Sequence, residues 1–197
     1  LWSSYARIRP DETFKFRCIG CDYCCGTGPN VSLTVFDVIR IARYLKMHWR
    51  QVLESFVKVI IADILPFMSL RDTGNGECVF MERVSENKAR CRIYEARPLK
   101  CRLYPLILPS PSVDHLYLDT KCPGVGEDSV ARVPVKLVQH YSWELKEHYR
   151  RVTRLVLEKG LEPLEALYRV LDELWAEAWS KNPRWADLKY IESLGYT

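Results

Sequence analysis

No apolar run in this chain is long enough to span a bilayer. The longest, Val57 to Met68, is interrupted by Lys58, Asp63 and Pro66, whereas about 20 predominantly apolar residues are needed. The chain also lacks a pronounced charge of either sign. Its 29 Lys and Arg stand against 25 Asp and Glu, a net charge of +4, too mild to argue for nucleic acid. Amide side chains are scarce. Gln occurs twice and Asn four times, while 27% of residues are charged, a balance that leans toward thermophile proteins. There is no P-loop, no Ser–His–Asp signature and no paired-carboxylate motif. Repeats and low-complexity tracts are also missing. No secretory signal is visible; the chain begins at Leu1 rather than Met, which leaves an upstream segment open.

What is present is a chain of 197 residues, 48% apolar. That is enough for one large domain, or one domain with an appended subdomain, to bury a core without help from a metal. The eight cysteines are its most specific feature. Four fall within eight residues, Cys18, Cys21, Cys24 and Cys25 in the run CIGCDYCC, and Cys78, Cys91, Cys101 and Cys122 follow singly. Two-residue spacers let successive thiolates turn toward one point, as a tetrahedral zinc or an iron–sulfur cluster requires. Disulfides fit this pattern poorly, because short loops and the vicinal pair Cys24–Cys25 make strained partners. Disulfide-rich intracellular proteins of hyperthermophiles keep that alternative in view. Metal-bound thiolates in a reducing, cytoplasmic setting are the better reading.

Along the chain, residues 1–16 read as an extended lead-in, with Phe14 and Phe16 alternating like a strand. Residues 26–30 read as a loop. Thr34 caps a helix to about Met47, with Asp37 completing a capping box. A second helix is expected over Arg50–Ile61. Cys78–Met81 and Ala89–Tyr94 read as hairpin strands around a loop at residues 85–88. A short helix from Arg97–Pro98 carries Cys101 and stops at Pro105. His115–Leu118 reads as a strand. Cysteine disappears after Cys122, and helices follow to Gly160, from Pro163, and over Trp185–Leu194. The expected fold class is α+β: a small irregular cysteine-rich core with a β-hairpin and two helices over residues 1–129, then a helical subdomain over residues 130–197.

Adjacent side chains cannot easily point at one centre, so Cys24 and Cys25 face different ways. Cys18, Cys21 and Cys24 form a natural triad with ferredoxin-like spacing, in which a remote cysteine followed by proline supplies the fourth thiolate. Cys122–Pro123 is the one Cys-Pro step. The expected partition is therefore Cys18, Cys21, Cys24 and Cys122 in one site. Cys25, Cys78, Cys91 and Cys101 then form a second site or a set of buried thiols. Four thiolates suit zinc as well as iron, but the C-x-x-C-x-x-C run with Cys-Pro favours iron.

The segments FKFRCIGCDYCC, VSLTVFDVIRIARYL, GECVFM, ARCRIYEARPLKCRLYPL and KCPG together resemble the YkgJ-type cysteine-cluster family, a zinc- or iron-chelating domain named for its CxxCxxCC run. The resemblance runs from about Phe14 to Gly124. It takes in all eight cysteines, the D-x-x-R-I-A helix (Asp37, Arg40, Ile41, Ala42) and the segment Arg97, Pro98, Cys101, Arg102, Tyr104, Pro105. It implies metal chelation, with iron–sulfur the usual expectation. One branch is similar to flagellin lysine N-methylases. That implies S-adenosylmethionine-dependent methyl transfer to protein lysines as the leading catalytic alternative, and so a protein partner or substrate. The chain lacks the C-x-x-x-C-x-x-C spacing of radical enzymes using that cofactor, and a G-x-G loop after a strand.

Seven Lys or Arg against two acids occupy residues 83–102. They read either as an anion site or, preferably, as charges that balance thiolates. Arg97, Arg102 and Tyr104 are the expected contacts to the bound group besides the thiolates. Tyr94, Glu95 and Tyr104 are otherwise read as core aromatics and a helix-start acid. Asp37 is read as a cap rather than a catalytic acid, and His115 as packing or surface rather than a ligand. His48, His140 and His148 are expected on helix surfaces. Tyr168, Trp175, Trp179 and Trp185 are expected in a subdomain core, with a partner groove as the alternative.

Overall fold

A computed structural model describes residues 4–27, 30–62, 65–111 and 114–195. Part of the expected loop at residues 26–30, residues 28 and 29, lies outside the described residues. The architecture is α+β, as the sequence indicates. The lead-in is two short strands, β1 (Tyr5–Ile8) and β2 (Thr13–Phe16), followed by a single turn α1 (Tyr23–Gly26) at Cys24 and Cys25. Helices α2 (Val35–Leu45) and α3 (Trp49–Phe56) come next, then the hairpin β3 (Val57–Ala62) and β4 (Leu65–Leu70). The hairpin β5 (Met81–Ser85) and β6 (Lys88–Cys91), α4 (Leu99–Leu103), β7 (Leu106–Ile107), β8 (Leu116–Asp119) and β9 (Val125–Arg132) complete the thiol-bearing part. Helices α5 (Val135–Lys159), α6 (Pro163–Ser180) and α7 (Leu188–Ser193) close the chain.

The strands form small antiparallel sheets rather than one large one: β1–β8–β7, β2–β9, β3–β4 and β5–β6. Both lead-in strands therefore pair with the segments on either side of Cys122, β8 before it and β9 after it. This pairing brings the N-terminal array beside the last cysteine.

Helix α2 begins where the sequence signals it. The Thr34 side chain accepts from the Asp37 N–H, and the Asp37 carboxylate accepts from the Thr34 N–H, satisfying two otherwise orphaned donors. Its residues Val35 to Ala42 are all buried. The larger hydrophobic cluster joins α2 and α3 to Val152, Leu155, Leu167, Leu171 and Leu174 of α5 and α6. The core thus draws on both sides of residue 130. A smaller cluster around Leu99, Leu103, Leu116, Leu137 and Ile191 lies under α4 and α7.

Several sequence expectations need correction. The second helix stops at Phe56, and Val57 begins a strand. The run Val57, Val59, Ile60, Ile61 is β-branched at alternate and adjacent positions, and hairpin pairing with β4 outcompetes helix there. The hairpin strand expected at Cys78–Met81 starts at Met81; Cys78 instead makes an isolated bridge with Asp72. The last helix splits into a 3-10 turn at Arg184–Ala186 and α7. His148 is buried, not on the surface. Tyr94 and Trp179 are 51% and 61% exposed rather than in a core, whereas Trp185 is buried as expected. Among the described residues no helix is long and apolar enough to cross a membrane.

Candidate metal centre

The array is held by backbone hydrogen bonds to segments that carry the remote cysteines. Before it, the Arg17 N–H donates to the Gly124 carbonyl at 3.0 Å, two residues past Cys122. In its middle, the Ala89 N–H donates to the Gly20 carbonyl at 3.0 Å, two residues before Cys91. At its end, the Cys78 N–H donates to the Cys25 carbonyl at 2.7 Å. Glycine is required at one of these contacts. A Cβ at Gly124 would stand 2.3 Å from the Arg17 carbonyl oxygen, well inside van der Waals contact.

Side chains reinforce the tethers. The Arg83 guanidinium donates to Asp22 within the array at 2.8 Å and to Glu77, beside Cys78, at 2.5 Å. Lys88 Nζ donates to the Ile19 carbonyl at 2.5 Å. Cys101 arrives separately on α4, whose first N–H, that of Leu99, donates to Asp37 Oδ1 at 3.1 Å. The capping carboxylate of α2 thus also holds the start of the Cys101 helix.

All eight cysteines are free thiols. Cys18 and Cys24 are exposed, Cys21, Cys25, Cys91 and Cys101 are partly covered, and Cys78 and Cys122 are buried. Cys24 Sγ and Cys25 Sγ lie 3.7 Å apart and share a hydrogen bond, so the two side chains turn toward each other rather than facing different ways as the sequence suggested. The thiols fall into two neighbourhoods. Cys122 has Cys21, Cys24 and Cys18 as electrostatic neighbours. Cys101 has Cys78, Cys91 and Cys24, and Cys25 has Cys24, Cys101 and Cys78. Cys24 belongs to both. The neighbourhoods also differ in surroundings: Cys25, Cys78, Cys91 and Cys101 pack on the larger hydrophobic cluster.

The hydrogen bond from Cys25 lowers the Cys24 thiol to about 7, against an opposing effect of burial; Arg97 assists. The same contact, with burial, pushes Cys25 up. Burial raises Cys78, Cys91, Cys101 and Cys122. Clustered thiols of this kind resist ionising one by one and become thiolates when a cation coordinates them. Among the described residues no three or more Cys, His, Asp or Glu side chains stand in an arrangement that could hold a metal ion. The chemistry of the donor set suits a thiophilic metal or cluster nonetheless: thiols only, from five stretches of chain, with cations nearby.

The basic residues divide by what they touch. Arg97 lies 3.8 Å over the Tyr94 ring and neighbours Cys24 and Cys91. Arg92 neighbours Cys78 and donates to the Val79 carbonyl at 2.6 Å. Lys100, whose charge favours the Cys101 thiolate, donates to Asn30 O and Ser32 Oγ, and burial lowers its own pKa. Arg102 turns inward: it is buried, donates to the Glu95 carbonyl, and its Nε has no hydrogen-bond partner among the described residues. Burial, Arg97 and Arg40 pull it down to about 10. Tyr104 donates to Asp119 at 3.0 Å, close to Cys122 and Cys24. His115 pairs with Asp114 at 2.6 Å, Arg7 and the Tyr117 ring.

The sequence reading overlooked a buried charge network behind the thiols. Arg40 donates to Asp37 at 2.6 Å and to both oxygens of Glu144, all three side chains being at most 1% exposed. Thr34 Oγ1, His140 and the Trp185 carbonyl complete it. Burial opposes ionisation of Glu144, but Arg40 and His140 hold it below its ordinary value; in Asp37 burial wins and the pKa is raised. An acid and an arginine three residues apart on an otherwise apolar helix face were the available signal.

Residues 17–123 match the family described as "CxxCxxCC: Putative zinc- or iron-chelating domain". The chain belongs to this family, and metal binding is the property that membership supports, without distinguishing iron from zinc. It is also similar to "Uncharacterized protein MJ0661" of Methanocaldococcus jannaschii, 37% identical over 90 residues, covering 46% of this chain and 44% of that protein. The chain therefore spans less than half the length of the curated relative it matches. No solved structure matches.

Proposed function

We propose that the chain is an iron–sulfur protein that holds a [4Fe–4S] cluster on Cys18, Cys21, Cys24 and Cys122, for redox chemistry, sensing or substrate activation in a reducing, cytoplasmic setting. The observation that carries this reading is the neighbourhood of Cys122. Its thiol neighbours are the three cysteines spaced by two residues, and the backbone bond from Arg17 to Gly124 ties the two segments together. The cluster is net anionic on four thiolates, and Arg97 beside Cys24 supplies compensating charge. The cluster would supply one-electron chemistry or a Lewis-acidic iron. The chain's own part is to present the thiolates and neutralise them.

A second reading is favoured by the other four cysteines. Cys25, Cys78, Cys91 and Cys101 pack on the hydrophobic core, as ligands of a closed structural zinc do. A zinc protein of this kind would act as an interaction module, and Trp143, Leu157 and Trp179 are exposed apolar residues that a protein partner could cover.

Anaerobic purification followed by iron, sulfide and zinc analysis, with a visible spectrum, separates the readings. Near-equal iron and sulfide in a brown protein that bleaches on reduction supports the cluster. A colourless protein with one or two zinc per chain overturns it. Saturable binding of S-adenosylmethionine by the reconstituted protein would extend the first reading to methyl transfer onto a protein lysine; no binding would exclude that extension.

A further inference from the structure

We propose that the free edge of β3 is a self-association surface, on which the β3 strands of two copies of this chain pair antiparallel about a two-fold axis at Ile60. The thiols take no part in it, so its test reads independently of the metal they hold.

The hydrogen bonds around the β3–β4 hairpin fix which way its backbone groups point. The Leu33 N–H donates to the Met68 carbonyl and the Leu70 N–H to the Val31 carbonyl, so Met68 and Leu70 turn away from β3. The Arg71 N–H donates to the Phe56 carbonyl and so turns toward the β3 side. Inward and outward residues alternate along an antiparallel ladder. In the register Lys58↔Ser69 and Ile60↔Phe67, Lys58 and Ile60 therefore bond to β4, while Val57, Val59 and Ile61 point outward. Residues 31–33 cover the far edge of β4. The far edge of β3 has no such cover, since β3 and β4 form a two-stranded sheet. At Val57 that edge is closed: its N–H donates to the Leu53 carbonyl, and its own carbonyl accepts from Arg71 Nε at 3.0 Å. Among the described residues, the outward groups of Val59 and Ile61 have no partner.

The side chains suit a second copy. Ile60, Ile61 and Phe67 are 53%, 50% and 39% exposed, an apolar exposure that unpaired edge strands normally avoid. Lys58, the charge that would guard such an edge, is paired with Asp72 of its own chain. With Val57 closed, an axis at Ile60 is the register that engages Val59 and Ile61 of both copies. Each Val59 then exchanges both hydrogen bonds with Ile61 of the second copy. Ile60 meets Ile60 of the second copy, and each already has Phe67 across from it on β4. An unbroken apolar row thus crosses the joined sheets. Charge selects the antiparallel arrangement. It sets Lys58 opposite position 62 of the second copy and offsets the two ammonium groups by about 13 Å along the strands, beyond the Debye length of about 8 Å. Parallel pairing would stack them. A contact between strands of this length lies at the small end of specific interfaces, which begin near about 1,200 Å². The dimer is therefore expected to dissociate at about 10 μM rather than at nanomolar concentration.

Sedimentation equilibrium of the full chain, with reductant present to exclude intermolecular disulfides, tests this. The average mass should rise with concentration from monomer toward dimer. Val59→Pro removes an outward N–H and leaves the β4-facing groups of Lys58 and Ile60 in place; it should weaken association at least tenfold. Ile60→Lys, at an exposed position, sets like charges against each other on the axis and should do the same. Far-UV circular dichroism checks the fold of both variants. Amide hydrogen exchange of the wild type gives the residue-level reading. Val59 and Ile61 should exchange more slowly at high concentration than at low, and Lys58 and Ile60 equally at both. A mass that stays monomeric up to about 1 mM, a dimer as tight in both folded variants as in the wild type, or exchange at Val59 and Ile61 that ignores concentration overturns the inference.

Discussion

The backbone N–H of Cys78 donates to the carbonyl of Cys25 at 2.7 Å, so the last cysteine of the array and the first of the remote ones share a hydrogen bond across 53 residues of chain. The contact converts a local sequence pattern into a tertiary site. Its counterpart at the other end of the array, Arg17 to Gly124, does the same for Cys122.

Gly124→Ala tests that second tether. The added Cβ would meet the Arg17 carbonyl at 2.3 Å and the Phe16 ring at 3.1 Å. Backbone cannot give way as a flexible side chain can, so β2 and β9 must separate locally. Overpacking of this kind costs about 1–3 kcal/mol. The expected outcome is a lower denaturation midpoint together with reduced metal stoichiometry. An unchanged midpoint and full stoichiometry would show that the close approach is dispensable.

Arg40 is the one guanidinium shared by two buried carboxylates; losing it leaves Glu144 with only its His140 and Thr34 contacts and Asp37 with hydrogen bonds alone. Arg40→Met is expected to destabilise the fold by about 3–5 kcal/mol in chemical denaturation. Arg40→Met/Glu144→Leu should cost less than Arg40→Met alone. Only Asp37 then remains, and it still accepts from the N–H groups of Thr34 and Leu99. A double variant less stable than the single one would contradict this account.

The thiol array, the α2 cap and the two long C-terminal helices were legible in the sequence because each rests on local chemistry: ligand spacing, a Thr-x-x-Asp box, an apolar stripe ended by Gly160 or opened by Pro163. Val57–Ile61 was misread because a short β-branched run has no distinct period when only five residues long, and only its partner Pro66–Leu70 decides for strand. His148 was misread for a similar reason. Its position on α5 says nothing about the α2 N-terminus packed against it, where the Val35 N–H donates to its Nδ1 at 3.3 Å. The grouping of the remote cysteines depends on tethers more than fifty residues apart in sequence, and no local pattern encodes them.

Burial lowers His148 to about 4 from an ordinary 6.5, with Glu144 opposing the shift. Its Nδ1 must also stay unprotonated to accept from Val35. Below pH 6.5 the unfolded chain takes up the proton and the folded chain does not, so stability falls as pH drops toward 4. From this group alone the loss should reach about 2 kcal/mol at pH 5 relative to pH 7.5. Denaturation midpoints of the wild type and His148→Gln at both pH values check it. The variant should show a loss smaller by that amount, and equal acid sensitivity would assign the effect elsewhere.

Arg97 and Arg102 flank Cys101 in sequence but should act differently. Arg97 neighbours Cys24 and Cys91, whereas the charged neighbours of Arg102 are Arg97, Arg40, Glu192 and Tyr94. Reduction adds negative charge to a thiolate-bound cluster, and a nearby cation makes that easier. Arg97→Gln should therefore shift the midpoint potential of the reconstituted protein to more negative values while changing the denaturation midpoint little. Arg102→Gln should do the opposite. Its side chain is buried against the Glu95 carbonyl, and removing the guanidinium should lower stability and leave the potential nearly unmoved. Protein-film voltammetry and chemical denaturation of the two variants give the comparison. Equal potential shifts would mean that both arginines act on the thiolates through general charge alone.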